Sequence, residues 1–159
     1  MLVKALVVFL MLPFLFAWLL PVVIAHFDPW RISGHGLGAL LVCIGLVTLI
    51  WCIRDFFLAG RSAPTPWEPP KYLVVVGLYR FTRNPIYTSV LLIVGGMAML
   101  FGSPLLRVYL IVLAISIHLR VLLNEEPRLA RQFGKEWDEY KNNVPRWLPR
   151  PTPWRKNRV

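Results

Sequence analysis

The chain contains long apolar runs separated by charged segments. No formally charged residue occurs in residues 5–27, 32–53 or 84–106, which gives three runs of 23, 22 and 23 residues. A helix needs about 20 predominantly apolar residues to cross the hydrocarbon core of a bilayer. Each of the three runs is therefore predicted to be a transmembrane helix.

A fourth apolar run covers residues 105–123 and carries one arginine near each end, Arg107 and Arg120. It is long enough to span if both side chains extend toward water at opposite interfaces. Only the sequence Gly-Ser-Pro at 102–104 separates it from the third run. So short a connection predicts an antiparallel hairpin of two neighbouring helices.

The first run also has some features of a secretory signal. Lys4, the apolar stretch and the sequence Val-Ile-Ala at 23–25 resemble its basic start, its core and its cleavage site. The apolar stretch 5–24 is 20 residues long, however, whereas the core of a signal has about 7–15. We therefore expect a retained span, kinked at Pro13 and Pro21, which neighbouring helices can accommodate.

Beyond Asn124 the pattern changes to one apolar face on a polar helix. Pro127 suits a first helical turn, and Glu125 and Glu126 would lie at the positive end of that helix. The apolar positions recur at steps of four, four and three, at Leu129, Phe133, Trp137 and Tyr140. This pattern predicts an amphipathic helix on the membrane surface, followed by an interfacial anchor over residues 145–153.

Composition and charge favour the same class of protein. Hydrophobic residues make up 57% of the chain and charged residues 16%, where a soluble domain has about half and a quarter. The number of Lys and Arg residues alternates between low and high along successive connections. Of the 18, one lies before the first run, one at 25–35, five at 54–83, one at the third turn and ten from Arg120 onward. This positive-inside pattern predicts a cell inner or plasma membrane protein with both termini cytoplasmic. Anionic lipid explains the excess of basic residues, so no nucleic-acid partner is expected.

These patterns predict an all-α polytopic membrane bundle of about four transmembrane helices plus a cytoplasmic amphipathic C-terminal helix. One domain would cover residues 1–159, with N-terminal spans at 1–60, a cytoplasmic loop at 61–85, a helical hairpin at 86–123 and the helix and tail at 124–159. Small residues in the second span should let helices approach closely; these are Gly34, Gly36, Gly38 and Gly45. The sequence does not indicate an oligomeric state.

Neither a metal centre nor a proton-coupled transport path is indicated. Cys43 and Cys52 lie nine residues apart in the second span, without a Cys-x-x-Cys motif or a nearby histidine. We expect both to be small buried apolar residues. All eight acidic residues lie outside the four spans, although a proton-coupled transporter usually needs an ionisable group at membrane depth.

Polar side chains are concentrated at the cytoplasmic ends of the third and fourth spans. One cluster precedes the third span and comprises Tyr79, Arg80, Arg83, Asn84 and Tyr87. The other ends the fourth span and comprises His118, Arg120, Asn124, Glu125 and Glu126. In a hairpin the two clusters face each other beside apolar walls, as in a ligand site, and His118 and Glu125 share a helical face. The same groups could instead be helix caps or positive-inside determinants.

Three ordered motifs in this region resemble the isoprenylcysteine carboxyl methyltransferase family and its wider phospholipid methyltransferase relatives. They are Gly-Leu-Tyr-Arg-Phe-Thr-Arg-Asn-Pro-Ile-Tyr at 77–87, Asn-Glu-Glu-Pro-Arg-Leu at 124–129 and Phe-Gly-Lys-Glu-Trp-Asp-Glu-Tyr at 133–140. Val-Pro-Arg at 144–146 fits the same ending. The resemblance covers about residues 70–150.

The resemblance implies a membrane-embedded enzyme that binds S-adenosylmethionine from the cytoplasmic side, between the last two spans and the C-terminal helix. The cofactor-binding residues it implies are Tyr79, Arg83, Asn84, Pro85, Tyr87, His118, Glu125 and Glu126, with Arg83 and Glu126 as the first catalytic candidates. No metal is implied. Asn84 replaces the family's commoner histidine and cannot titrate near neutrality, and Trp137 replaces a tyrosine.

The methyl acceptor is not identified by the sequence. A lipophilic small molecule or lipidated substrate with a carboxylate, lipid or amine acceptor group fits the resemblance equally well. Some membrane reductases share a similar C-terminal ending, so an NADPH-dependent reductase is the alternative enzyme. A four-span assembly or binding module that contacts membrane lipid is the non-enzymatic alternative.

Overall fold

The computed structural model of the protein describes residues 15–60 and 72–155. Within these ranges all regular structure is helical and there is no strand, which confirms the all-α prediction. A 3₁₀ turn at Gly77–Arg80 precedes the third helix. The helices are α1 (Leu15–Phe27), α2 (Leu37–Gly60), α3 (Pro85–Leu100), α4 (Pro104–Phe133) and α5 (Lys135–Asn143).

Two of these helices are long and apolar enough to cross a membrane. They are α2, over Leu37–Asp55, and α4, over Pro104–Phe133. Helices α1 and α3 are apolar but shorter, and Pro13 and the other residues before Leu15 lie outside the described residues. The 16 residues of α3 rise roughly 24 Å, less than the approximately 30 Å hydrocarbon core. The count of four spans therefore stays a prediction.

Glycines bring α2 and α3 into close contact. A Cβ atom at Gly38 would lie 2.4 Å from the carbonyl oxygen of Gly96, and one at Gly96 would lie 2.6 Å from the carbonyl oxygen of Gly38. Side chains larger than hydrogen would push the two backbones apart. Gly34 and Gly45 also lie against α3, so the packing role predicted for Gly34, Gly38 and Gly45 is confirmed. Gly36 faces open space.

The helical core fills the space between the four apolar helices. Its buried members are Ala17, Ala25, Leu49, Val90, Ile93, Met97, Ala98 and Leu106. Cys52 is fully buried beside Val74 and Tyr79, as expected, but Cys43 is exposed. The prediction for Cys43 is wrong because nine residues correspond to two and a half helical turns, which places the two cysteines on opposite faces of α2.

The third and fourth apolar runs form a hairpin of two packed helices, α3 and α4, and their crossing of the membrane stays a prediction. Ser103 caps α4: its side-chain oxygen accepts a hydrogen bond from the Leu106 N–H at 3.1 Å, and its hydroxyl donates to Asp28. Asp28 also accepts from the Leu105 N–H at 3.1 Å. Ser103 and a buried carboxylate from the loop after α1 therefore each satisfy one free N–H group at the start of α4.

Helices α1 and α4 each contain a π-helical turn shortly before a proline. Leu15–Leu19 precedes Pro21, and Val121–Glu125 precedes Pro127. Proline lacks an N–H donor and its ring crowds the carbonyl four residues earlier, so a wider turn accommodates it. An α-helical segment does begin beside Pro127, as predicted, but it continues α4 without a loop.

The C-terminal region differs from the single amphipathic helix that the pattern predicts. Gly134, with φ +48°, ends α4 and starts α5. The C-terminal end of the apolar face packs on protein, because Leu73 and Val75, in the segment before the 3₁₀ turn, pack against the buried cluster of Trp137, Tyr140 and Val144. This packing covers part of the face that the pattern assigns to the membrane surface.

Residues 144–154, which we call the C-terminal strap, run beside the segment that leads into α3. The Arg83 N–H donates to the Pro145 carbonyl at 2.9 Å, the Arg150 N–H to the Phe81 carbonyl at 3.0 Å, and the Trp154 N–H to the Arg80 carbonyl at 3.0 Å. Residues 145–153 of the strap were expected to be an interfacial anchor. Its backbone is hydrogen-bonded to the protein, and the anchoring role stays a prediction.

Candidate functional site

A cavity of about 90 Å³ lies between the segment before α3, the π turn of α4 and helix α5. Small-molecule sites have volumes of roughly 300–1,000 Å³, so a ligand of cofactor size would extend from this cavity into the open space at its mouth. Apolar and aromatic side chains form most of its wall, and a few charged groups converge on it. The lining residues are Leu73, Val74, Tyr79, Arg83, Asn84, Val121, Glu125, Glu126, Leu129, Trp137 and Tyr140.

Arg83 supplies a buried positive charge to this cavity. Its side chain is 8% exposed, and its guanidinium lies 5.4 Å from the centre of the Trp137 ring. Nη1 lies 3.0 Å from Oε1 of Glu126, but among the described residues neither Nη1 nor Nε has a hydrogen-bond acceptor in suitable geometry. Burial lowers the pKa of Arg83, which Glu126 opposes, and an arginine remains charged. Buried donors without acceptors are uncommon, so this guanidinium is prepared for an anionic partner.

Glu126 lies beside Arg83 and is already paired by the strap. Arg146 donates from Nε to Oε1 at 2.6 Å and from Nη2 to Oε2 at 2.9 Å. The Glu126 side chain is 9% exposed, so this is a two-pronged ion pair shielded from water. The hydrogen bond with Glu126 raises the pKa of Arg146. Both carboxylate oxygens of Glu126 therefore have partners within the protein.

Glu125 connects the two helices of the hairpin. It accepts a short hydrogen bond from the Tyr87 hydroxyl on α3 and another from Nε of Arg120 on α4 at 3.1 Å. The Glu125 side chain is 32% exposed and forms part of the cavity wall. The π turn brings it there, because the inserted residue rotates the following segment relative to the first part of α4.

Two buried tyrosines fix the inner wall of the cavity. The Tyr140 hydroxyl donates to the main-chain carbonyl of Tyr79 at 2.7 Å. Burial raises the pKa of both phenols above the ordinary value, so they stay neutral at physiological pH. Gly77 forms the turn before Tyr79 with φ +51°, and a Cβ there would lie 1.6 Å from Oδ2 of Asp55. Only glycine fits this position.

Asn84 joins the site to the strap. Its side-chain amide donates to the Arg146 carbonyl at 3.2 Å, and Thr82 donates from its hydroxyl to the same carbonyl at 3.1 Å. Pro85 follows at the first turn of α3, where a missing N–H has no cost. The amide of Asn84 therefore holds the site together and supplies no titrating group.

His118 lies away from the cavity. Its Nδ1 accepts a hydrogen bond from the indole N–H of Trp147 at 3.1 Å, and the two ring centres are 6.0 Å apart. It is outside the set of described residues that line the cavity. The shared face with Glu125 that the seven-residue spacing predicts is lost, because the π turn intervenes. A cofactor contact by His118 stays a prediction that the geometry does not favour.

The structure thus brings most of the sequence-predicted site residues together. Five line the cavity: Tyr79, Arg83, Asn84, Glu125 and Glu126. Tyr87 reaches it through its hydrogen bond to Glu125, and Pro85 only starts α3. Sequence reasoning gave no site role to Arg146, although the Val-Pro-Arg motif contained it, or to Tyr140, whose helical spacing placed it on the apolar face of the predicted surface helix.

The fold is a bundle of apolar helices with a partly charged cavity at one end of a helical hairpin. Residues 33–136 match the family model described as phospholipid methyltransferase, which covers more than half of the chain. The chain belongs to the phospholipid methyltransferase family, and the resemblance found in its motifs is confirmed. No curated protein and no solved structure matches it significantly. Family membership implies methyltransferase activity in a membrane protein.

Proposed function

We propose that this protein transfers a methyl group from S-adenosylmethionine to a lipophilic acceptor at the cytoplasmic leaflet of the membrane. The observation that carries the proposal is the buried guanidinium of Arg83. Two of its donor atoms, Nε and Nη1, make no hydrogen bond within the described residues, although Nη1 lies 3.0 Å from Glu126, and the cavity beside it is lined mostly with aromatic and apolar side chains. This combination fits a ligand that has both an anionic end and a flat apolar part.

The residues present fit the cofactor at both of its polar ends. Arg83 would hold the carboxylate of the amino-acid part through two parallel hydrogen bonds, the geometry that guanidinium groups favour. Glu125 would accept from the ammonium group or the ribose hydroxyls, because it is the carboxylate of the wall that remains partly exposed. Trp137 and Tyr140 offer aromatic surface for the base.

When bound, S-adenosylmethionine supplies a methyl group activated by a positively charged sulfur. The protein's contribution would be to hold the two reactants in line and to exclude water, which can account for a large part of a rate enhancement. The neutral phenols of Tyr79 and Tyr140 and the amide of Asn84 have no ready acid-base role at physiological pH. This site is built for positioning, not for proton transfer.

The acceptor is expected to reach the site from the bilayer. The family points to a lipid substrate. An acyl or prenyl chain could enter between the apolar helices next to the cavity. A lipid headgroup, an amine and a carboxylate are all methyl acceptors compatible with this site. The cytoplasmic placement follows from the alternation of basic residues along the chain.

Binding of S-adenosylhomocysteine to the purified protein in detergent tests the proposal. Isothermal titration should give a dissociation constant in the micromolar range, and Arg83→Ala should weaken it at least about thirtyfold, because truncating one partner of a buried charge pair has effects of that size. Glu126→Ala should abolish binding, because the two neighbouring guanidinium groups of Arg83 and Arg146 repel each other once the carboxylate that positions them is removed. Arg107→Ala, an exposed arginine at the other end of α4, is the control and should bind like the wild type.

A thermal-shift comparison separates this function from the alternatives. Stabilisation by NADPH, with no effect of S-adenosylhomocysteine, would overturn the proposal in favour of the reductase. If neither cofactor stabilises the protein, a non-enzymatic membrane module becomes the better interpretation. Ligands that bind only the folded state raise its stability in proportion to the logarithm of their concentration, so saturating concentrations make these outcomes distinct.

A further inference from the structure

Arg146 occupies an unusual position in the C-terminal strap. Its main-chain carbonyl accepts hydrogen bonds from Thr82 at 3.1 Å and from Asn84 at 3.2 Å. Its side chain crosses to α4 and forms both of its hydrogen bonds with Glu126. The residue is therefore fixed from two directions, and it links the strap, the segment before α3 and the part of α4 that follows the π turn.

The pairing of Arg146 with Glu126 determines what Arg83 can do. Glu126 is the nearest carboxylate to Arg83, at 3.0 Å, and a free Glu126 would be available for two parallel hydrogen bonds with that guanidinium. Arg146 takes both oxygens in that manner instead. Nε of Arg83 is left without an acceptor among the described residues, and Nη1 keeps its ion pair with Glu126 but makes no hydrogen bond there, although the side chain is buried.

We infer that Arg146 is a positioning residue of the site, which engages Glu126 so that the Arg83 guanidinium stays available for the carboxylate of the ligand. This inference rests on the proposed function. Two arginines and one glutamate leave a net charge of +1 in a shielded region, and a bound carboxylate would bring it to zero. A buried charge is costly unless it is paired, so the site favours a ligand that carries this group.

The inference distinguishes two parts of the ligand. S-adenosylhomocysteine has both the nucleoside and the amino-acid carboxylate, whereas 5′-methylthioadenosine keeps the nucleoside and the thioether sulfur but lacks the amino-acid part. A residue that acts through Arg83 should affect only the first ligand. A residue that merely supports the fold should affect both.

The experiment measures the affinity of both ligands by isothermal titration for the wild type, Arg146→Ala, Arg146→Lys and Arg150→Ala. Arg150 is the matched control, because it lies on the same strap and its side chain donates to the Asn143 carbonyl at 2.8 Å, away from Glu126. Arg146→Ala should weaken the binding of S-adenosylhomocysteine about tenfold or more, which is the effect of losing one charged hydrogen bond. It should change the affinity for 5′-methylthioadenosine less than about twofold. Arg146→Lys should recover part of the loss, since it keeps the charge without the fork.

Each other outcome would overturn the inference. Unchanged binding of S-adenosylhomocysteine by Arg146→Ala would show that Arg83 does not depend on this residue. Equal weakening of both ligands would show a general structural role. If the alanine variant does not fold by circular dichroism, the lysine variant decides by the same comparison of ligands. A wild type that binds neither ligand would instead overturn the proposed function, and this inference with it.

Discussion

The contact between α2 and α3 can be tested at two adjacent glycines of α3 that have different surroundings. A Cβ at Gly96 would lie 2.6 Å from the carbonyl oxygen of Gly38 and 2.8 Å from the backbone nitrogen of Val42. A Cβ at Gly95 would lie 3.5 Å from its nearest neighbour, a methyl group of Leu110, which is an ordinary contact. We therefore compare Gly96→Ala with Gly95→Ala.

The expected magnitude follows from this geometry. Ordinary contacts begin at 3.4 Å, so the extra methyl group at Gly96 must move the α2 backbone by roughly 0.8 Å. Backbone atoms of a packed helix cannot give way individually, and overpacking of this kind costs about 1–3 kcal/mol. Replacing glycine by alanine inside a helix gains up to about 1 kcal/mol in both variants, so that gain cancels in the comparison.

The assay is thermal unfolding in detergent, followed by intrinsic fluorescence and circular dichroism. Since 1 kcal/mol corresponds to about 2–4 °C in a chain of this size, Gly96→Ala should melt several degrees below Gly95→Ala. Gly95→Ala should melt at or slightly above the wild-type temperature. Equal melting temperatures for the two alanine variants would refute the close backbone contact between α2 and α3.

Three further predictions concern other parts of the chain. Gly77→Ala should lower the melting temperature more than Gly134→Ala, because both positions have positive φ but only a Cβ at Gly77 would collide with a neighbour. A larger effect of Gly134→Ala would contradict the packing of Asp55 on the turn at Gly77. Ser103→Ala should cost about 1–2 kcal/mol, measured by thermal unfolding, because α4 loses its N-cap; an unchanged melting temperature would argue against that cap. A reporter enzyme fused after Val159 should have cytoplasmic activity, whereas periplasmic activity would overturn the orientation.

Much of the fold could be predicted because it depends on local properties of the sequence. Runs without charge gave the helices, and Gly102-Ser103-Pro104 gave the hairpin. The close contact of α2 with α3 followed from glycines such as Gly38. The length of α3 was less predictable, since an uncharged run can also contain caps and turns. The uncharged run 84–106 includes Asn84, the N-cap of α3, and Gly102, which lies in the turn after α3 with φ +59°.

The candidate site was only partly predictable, because many of its contacts join distant parts of the chain. The hydrogen bonds between residues 82–84 and the C-terminal strap link positions more than 60 residues apart. No periodicity in the sequence indicates which carboxylate Arg146 will meet. The π turn is a second reason, since helical spacing assumes 3.6 residues per turn and cannot foresee an inserted residue. His118 was placed in the groove by that assumption.

The two adjacent glutamates have different partners because of the π turn and the strap. Neighbouring residues of a helix point about 100° apart, so Glu125 and Glu126 cannot both face the same partner. Glu125 turns toward Tyr87 and the open part of the cavity, while Glu126 turns toward Arg146 and Arg83. A carboxylate that is partly exposed can exchange a protein partner for a ligand, but one with both oxygens taken cannot do so without breaking an ion pair. The direct contact with a ligand is therefore expected from Glu125, and the strong effect expected for Glu126→Ala would act through Arg83.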